Sequence, residues 1–136
     1  MHRILLLSLA AATASCTTAP APPSQTAQSR AHLEQLIAGK VAGQPLNCLP
    51  HYNADDMIVI DENTIAFRVS GRRVYVAHMN GPCANLGSSY TALVTNTTGS
   101  PGLCSGDIAR VVDTANRITV GSCTFNEFTP YETPRS

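Results

Sequence analysis

Met57-Ile58-Val59-Ile60-Asp61-Glu62-Asn63-Thr64-Ile65-Ala66-Phe67-Arg68-Val69-Ser70-Gly71-Arg72-Arg73-Val74-Tyr75-Val76-Ala77-His78 is the stretch that decides the fold. Residues 57–60 are a short apolar run that stops at the turn cluster Asp61-Glu62-Asn63. From Thr64 the residues alternate. Ile65, Phe67 and Val69 point one way, with Thr64, Ala66 and Arg68 pointing the other. Ser70-Gly71 marks a tight turn. Residues 72–78 then return, with Val74 and Val76 on one face and Tyr75 and Ala77 on the opposite one. The pattern predicts a three-stranded antiparallel meander.

Before the meander, residues 29–41 read as one amphipathic helix. Ser29 can cap its start, and Leu33, Leu36, Ile37 and Val41 recur at helical spacing. Gly39 and Gly43 weaken its end, and Pro45 forbids continuation. After the meander, Asn80-Gly81-Pro82 breaks the chain. Strands are expected over 89–95, through Tyr90, Ala92 and Val94, and over 107–112 and 117–122. The segment 125–131 carries two Phe and a Tyr and is expected to pack back on the sheet, leaving 132–136 as a tail. One helix followed by about six short strands with hairpin-length links gives a mainly β fold: a small antiparallel barrel or curled sheet.

The amino terminus reads as an export signal over residues 1–15. Met1-His2-Arg3 is a short positive start, and residues 4–12 are an apolar run too short to span a bilayer. Two cleavage points compete. Ala12-Thr13-Ala14 suits an ordinary signal peptidase cutting after Ala14. Thr13-Ala14-Ser15-Cys16 resembles a bacterial lipobox, with Thr13 where such boxes usually carry Leu. The chain has five cysteines: Cys16, Cys48, Cys83, Cys104 and Cys123. An odd cysteine in an exported protein needs an explanation, and lipidation of Cys16 supplies one. Residues 16–28 are rich in Pro and Thr without apolar periodicity, as an extended tether would be. The expectation is a protein held to a membrane by lipid on Cys16. Thr17 stands where Asp would favour inner-membrane retention, so the periplasmic face of the outer membrane is the expected place. Residues 29–131 are one domain by length. Cleavage removes Arg3, leaving eight Lys plus Arg against nine Asp plus Glu, and that balance gives no case for nucleic acid.

Four segments carry a resemblance. Leu36-Ile37-Ala38-Gly39-Lys40-Val41-Ala42-Gly43-Gln44-Pro45-Leu46-Asn47-Cys48-Leu49 resembles the opening of an uncharacterised family of small exported proteins from alphaproteobacteria. Asp61-Glu62-Asn63-Thr64-Ile65-Ala66-Phe67-Arg68, Leu103-Cys104-Ser105-Gly106-Asp107 and Phe128-Thr129-Pro130-Tyr131 are similar to later parts of it. The family is a domain of unknown function, so the resemblance implies no activity and no site. It does bear on disulfides. Four cysteines allow three pairings. Some members keep counterparts of Cys48 and Cys104 alone, and a pair gained or lost together implies Cys48–Cys104 and Cys83–Cys123. An oxidising periplasm would support such bridges.

The sequence carries no familiar catalytic or cofactor pattern. Zinc sites favour close Cys or His pairs, and the nearest approach is His78 with Cys83. Gly87-Ser88-Ser89, Gly99-Ser100-Pro101-Gly102 and Ser105-Gly106 do not match a nucleophile turn. There is no phosphate loop or dinucleotide fingerprint, so no cofactor is expected. His51 and His78 read as surface or strand-end residues. Asp55, Asp56, Asp61 and Glu62 read as solvated turn charges. Arg68, Arg72 and Arg73 cluster around Ser70-Gly71 and are the candidate contacts for an acidic ligand, such as a wall carboxylate or a lipid phosphate. The bland alternative pairs them with Asp61 or Glu62. Three readings of function follow: a non-enzymatic envelope module that binds another envelope protein or a cell-wall component; an inhibitor or sensor acting through the loops between Cys83 and Cys104; and a small hydrolase whose site has no sequence signature. An exposed apolar patch on a shallow surface favours the first two.

Overall fold

The computed structural model describes residues 26–50, 53–97 and 102–135. The expected signal segment 1–15, Cys16, most of the expected tether 16–28 and His51 lie outside the described residues. The described residues form helix α1 (Ala27–Ile37), then nine strands: β1 (Val41–Ala42), β2 (Cys48–Leu49), β3 (Met57–Asp61), β4 (Thr64–Ser70), β5 (Arg73–Asn80), β6 (Thr91–Asn96), β7 (Leu103–Cys104), β8 (Ile108–Asp113) and β9 (Thr119–Glu132). Six of them lie side by side in the order β3-β4-β5-β9-β8-β6, all antiparallel, in a sheet that curls into a half-barrel. The mainly β, curled-sheet expectation holds. So does the meander, whose registers run Met57↔Phe67 through Asp61↔Thr64 and Thr64↔His78 through Ser70↔Arg73. Register shifts at Val59/Asp61, Arg68/Ser70, Ala77/Met79 and Val111/Val112 add local twist, which bends the sheet.

Both faces of the meander are buried, so its alternation separates two cores rather than core from solvent. Inside the curl lie Ile65, Phe67, Tyr75, Ala77 and Met79, with Ala109 and Val111 from β8 and Phe125 and Phe128 from β9. Phe67, Phe125 and Phe128 form a triad with ring centroids 5.8–6.4 Å apart, a separation at which aromatic pairs attract. Outside the curl, Ala66, Val74, Val76 and Ile60 meet Leu36 of α1, with Leu33, Ile37 and Tyr131 packed around them.

The helix is shorter and earlier than 29–41. Thr26, not Ser29, is the cap: its Oγ1 accepts from the Ser29 amide at 3.1 Å, and the Thr26 backbone is extended as a cap requires. Residues 26–28 thus belong to the folded unit rather than to a tether. The helix stops at Ile37 because Gly39 enters the left-handed region, at φ 69°. Val41 therefore leaves the helical face, joins β1 against Glu132, and is 62% exposed.

Residues 125–131 do not pack back onto the sheet but lie within it. They continue the strand begun at Thr119 into a 14-residue element paired with β5 along most of the latter's length. Glu132, placed in the tail by the sequence, is its last residue, and the Thr133 amide donates to the Arg72 carbonyl. The strand expected over 89–95 is β6; Ala92 and Val94 on it and Tyr90 just before it are exposed, and Leu93 packs on the core.

Two inserts fill the open side of the curl. One is the β2–β7 ribbon, whose Leu49 and Leu103 are fully buried. Cys48 faces Cys104 directly across it, and the two form a disulfide with Cα atoms 4.0 Å apart. Buried Asp107 holds the turn that follows, its carboxylate accepting from the Cys104 amide at 2.7 Å. The other insert is the loop after β5. Its Cys83 and Leu86 are buried, and a Cys83–Cys123 disulfide ties it to β9. The same loop is bound to the β3–β4 turn through the Cys83 amide on the Glu62 carbonyl and the Asn85 amide on Glu62 Oε1. The two bridges are the pairs the family resemblance implied.

Candidate ligand site at the basic end of the sheet

The β4–β5 hairpin ends at Gly71-Arg72, and the last residues of β9 come alongside it because Arg73 pairs with Glu132 and Val74 with Tyr131. On the outer face, the carboxyl-terminal part of α1 lies over the same hairpin. These elements leave two clefts that share Ser70. The first, about 340 Å³, lies between helix and hairpin and is lined by His32, Gln35, Leu36, Lys40, Arg68, Ser70, Gly71 and Val74. The second, about 420 Å³, is lined by Ser70, Arg72, Arg73, Glu132, Thr133 and Arg135. A third hollow continues past Glu132, Thr133 and Arg135 to Val41, Gly43 and Pro130.

The three arginines of the hairpin are thus divided between two clefts. Arg68, on β4, faces α1. Arg72 and Arg73 face the end of β9. Asp61 and Glu62 are not their partners, because β4 carries the meander's acidic turn to the opposite end of the sheet. Asp61 Oδ1 instead accepts from the Asn63 amide at 2.8 Å. Arg73 pairs with Glu132, Nε to Oε1 at 2.7 Å, with both side chains roughly half exposed. That hydrogen bond and the carboxylate's charge hold the Arg73 guanidinium above its ordinary, already high range, so it stays charged wherever the protein is folded. Among the described residues, Arg68 and Arg72 form no ion pair.

Two further cations belong to the site, and the sequence reading did not include them. Lys40 sits just past α1 and donates from Nζ to the Leu36 carbonyl at 3.0 Å, where the helix's carbonyl end favours a positive charge. Arg135 is brought in by the length of β9. Glu132 is the single carboxylate among the residues lining the two clefts. Asp55 and Asp56 reach the same end of the sheet through the Met57↔Phe67 register but line neither cleft. The arrangement suits chemistry that binds an anion: guanidinium donors of fixed geometry, one ammonium and a serine hydroxyl.

His78 is exposed on β5, and its Nδ1 lies 3.3 Å from the Thr64 hydroxyl across the β4–β5 pair. Among the described residues no three His, Cys, Asp or Glu side chains gather as a metal ion would require. No helix among the described residues is long and apolar enough to cross a membrane. Comparison with known protein families, with curated proteins and with solved structures finds nothing that matches this chain.

Proposed function

We propose that this protein is a non-enzymatic binding module of the bacterial envelope, held at a membrane by lipid on Cys16, and that its basic end takes an anionic group of an envelope component. One observation carries the reading. Five of the chain's nine Lys and Arg, namely Lys40, Arg68, Arg72, Arg73 and Arg135, line two adjoining clefts beside one carboxylate, in a chain whose net charge is zero. Such an excess at one end raises the local concentration of anions and orients their approach. The disulfides support the same reading. They fix the inserts that fill the curl, so the hairpin stands on a rigid body and loses little entropy when a ligand docks.

Phosphate from a lipid headgroup and carboxylate from a wall peptide share this chemistry, so the test uses both. Inorganic phosphate and glutarate are titrated separately into the purified protein while backbone amide shifts are followed. The expected response is confined to residues around Ser70, Arg72 and Thr133. Arg68→Ala/Arg72→Ala is expected to weaken binding by at least about tenfold, because charge-assisted hydrogen bonds to guanidinium are the strong ones. Binding should also fall steeply with added salt. Equal affinity in the double variant would refute the site. The anchor is tested separately by labelling cells with a palmitate analogue. Label is expected on the wild type and absent from Cys16→Ala, and equal labelling of both would remove the lipid from the proposal.

A second reading, contact with a partner protein through the segment between Cys83 and Cys104, is favoured by the exposure of Tyr90 within it, at 73%.

A further inference from the structure

The run of six strands ends in β3 on one side and β6 on the other, and the chain treats these two edge strands differently. β3 is protected. It carries a register shift at Val59/Asp61, has Asp55 and Asp56 just before it and Asp61 at its end, and is touched by the loop after β5, where a Cβ added at Gly87 would lie 3.1 Å from Val59 Cγ1. Bulges, charges and a covering loop are the usual means of keeping other strands off an edge. Among the described residues β6 has none of these. Thr91-Ala92-Leu93-Val94-Thr95-Asn96 holds no charge and no proline, and its register with β8 is unbroken from Thr91↔Asp113 to Asn96↔Ile108. Thr91 is tied into the preceding turn through its amide on the Ser88 carbonyl. From Ala92 to Asn96, the edge facing away from β8 has no backbone partner among the described residues.

Beside that edge lies apolar surface. Val94 is 39% exposed and Ile108 50%, and they are diagonal neighbours on the outer face, since Val94 opposes Arg110 and Asn96 opposes Ile108. We propose that β6 pairs with β6 of a second copy of this chain, antiparallel about a twofold axis through Val94.

The register follows from the pleat. Residues directly opposite in an antiparallel pair point to the same face, so each residue must meet one of its own parity. An axis at Val94 satisfies this. Val94 meets its own counterpart on the outer face, Leu93 meets Thr95 on the inner face, and Ala92 meets Asn96. The two Val94–Ile108 patches then join across the seam, and paired β-branched side chains favour such a contact. A second copy fits because the strand is uncharged, so the twofold brings no like charges together within it. Arg110 and its counterpart would stand three strand spacings apart, about 14 Å. That exceeds the screening length of about 8 Å at physiological salt.

A seam this short buries less than the roughly 1,200 Å² of a standard stable interface, so the dimer is weak in solution. Confinement of both copies to one membrane would strengthen it by raising their effective concentration.

The test is sedimentation velocity on the full chain carrying Cys16→Ala, so that no lipid drives association, over about 10 µM to 1 mM. Wild-type Val94 is expected to give a concentration-dependent monomer–dimer equilibrium. Val94→Lys and Val94→Glu each place like charges opposite one another at the axis and are expected to sediment as monomers. A mixture of the two is expected to recover the dimer. Val94 is partly exposed, so both variants should keep the fold, which circular dichroism checks. Three results would overturn the proposal: a monomer throughout with β6 amides slow to exchange, which would place the chain's own terminus on the edge; a monomer with those amides fast to exchange; or a dimer indifferent to both charges. None of these outcomes bears on anion binding at the β4–β5 hairpin, which lies away from β6 in the sheet.

Discussion

Treated with a reductant, the protein is expected to unfold under conditions where the oxidised form is stable. The two bridges close loops with sequence separations of 56 and 40 residues. In the chain-entropy account, loops of that size are each worth about 4 kcal/mol, and measured native bridges typically contribute about 2–4 kcal/mol. A small domain has only about 5–15 kcal/mol of net stability, so losing both removes most of it. The two losses should differ. Cys83 is fully buried and Cys123 nearly so, whereas Cys48 is exposed. Cys83→Ala/Cys123→Ala therefore removes core sulfur as well as a cross-link, and it frees the loop that fills the mouth of the curl. It is expected to shift the urea midpoint further than Cys48→Ala/Cys104→Ala, with either shift about 1–4 M for the slopes usual in small proteins. Urea unfolding of the oxidised, reduced and two doubly substituted forms measures this. Superimposable curves would show that the bridges staple nothing.

How far the fold could be read from sequence depends on whether its determinants are local. The meander was legible because Asp61-Glu62-Asn63 and Ser70-Gly71 are turn signals and the residues between them alternate strictly. The long β9 was not. Phe125 and Phe128 both face inward although they stand an odd three positions apart, because β9 carries an extra residue where β5 steps from Ala77 to Met79. That bulge breaks the alternation a strand is recognised by. Pro130 also reads as a stop. In the structure its carbonyl accepts from the Gly43 amide, so its own nitrogen faces the same side, toward the short edge segment rather than toward β5. The missing donor costs the sheet nothing there. Long-range pairing made a strand of a sequence that does not advertise one. The same division applies to the basic end. Arg68, Arg72 and Arg73 were visible because a hairpin gathers them locally. Lys40 and Arg135 arrive only because α1 packs on the meander and β9 runs to Glu132, and no pattern within the residues around them announces that.

Gly121 is the position where this non-local geometry should be felt most sharply by a single methyl group. A Cβ built there would overlap the carbonyl oxygen of Ala84, with the Ala84 carbonyl carbon at 3.1 Å, because the loop that carries Cys83 lies directly on the backbone of β9. The obstacle is main chain held by the neighbouring disulfide and by Asn85 Nδ2 on the Val120 carbonyl, so it cannot swing aside as a side chain could. Gly121→Ala is expected to cost about 3 kcal/mol, the upper end of ordinary overpacking. For a domain of this size that corresponds to a drop of roughly 12–20 °C in melting temperature. Gly102 presents a milder case, since a Cβ there would stand 2.6 Å from the Leu49 carbonyl oxygen. Gly71 is the control: a Cβ there meets nothing within 4 Å, and Gly71→Ala should stay within about 0.5 kcal/mol of wild type. Calorimetric melting of the three variants orders them. If Gly121→Ala melts with Gly71→Ala, the loop does not rest on β9, and the curl is closed by some other contact.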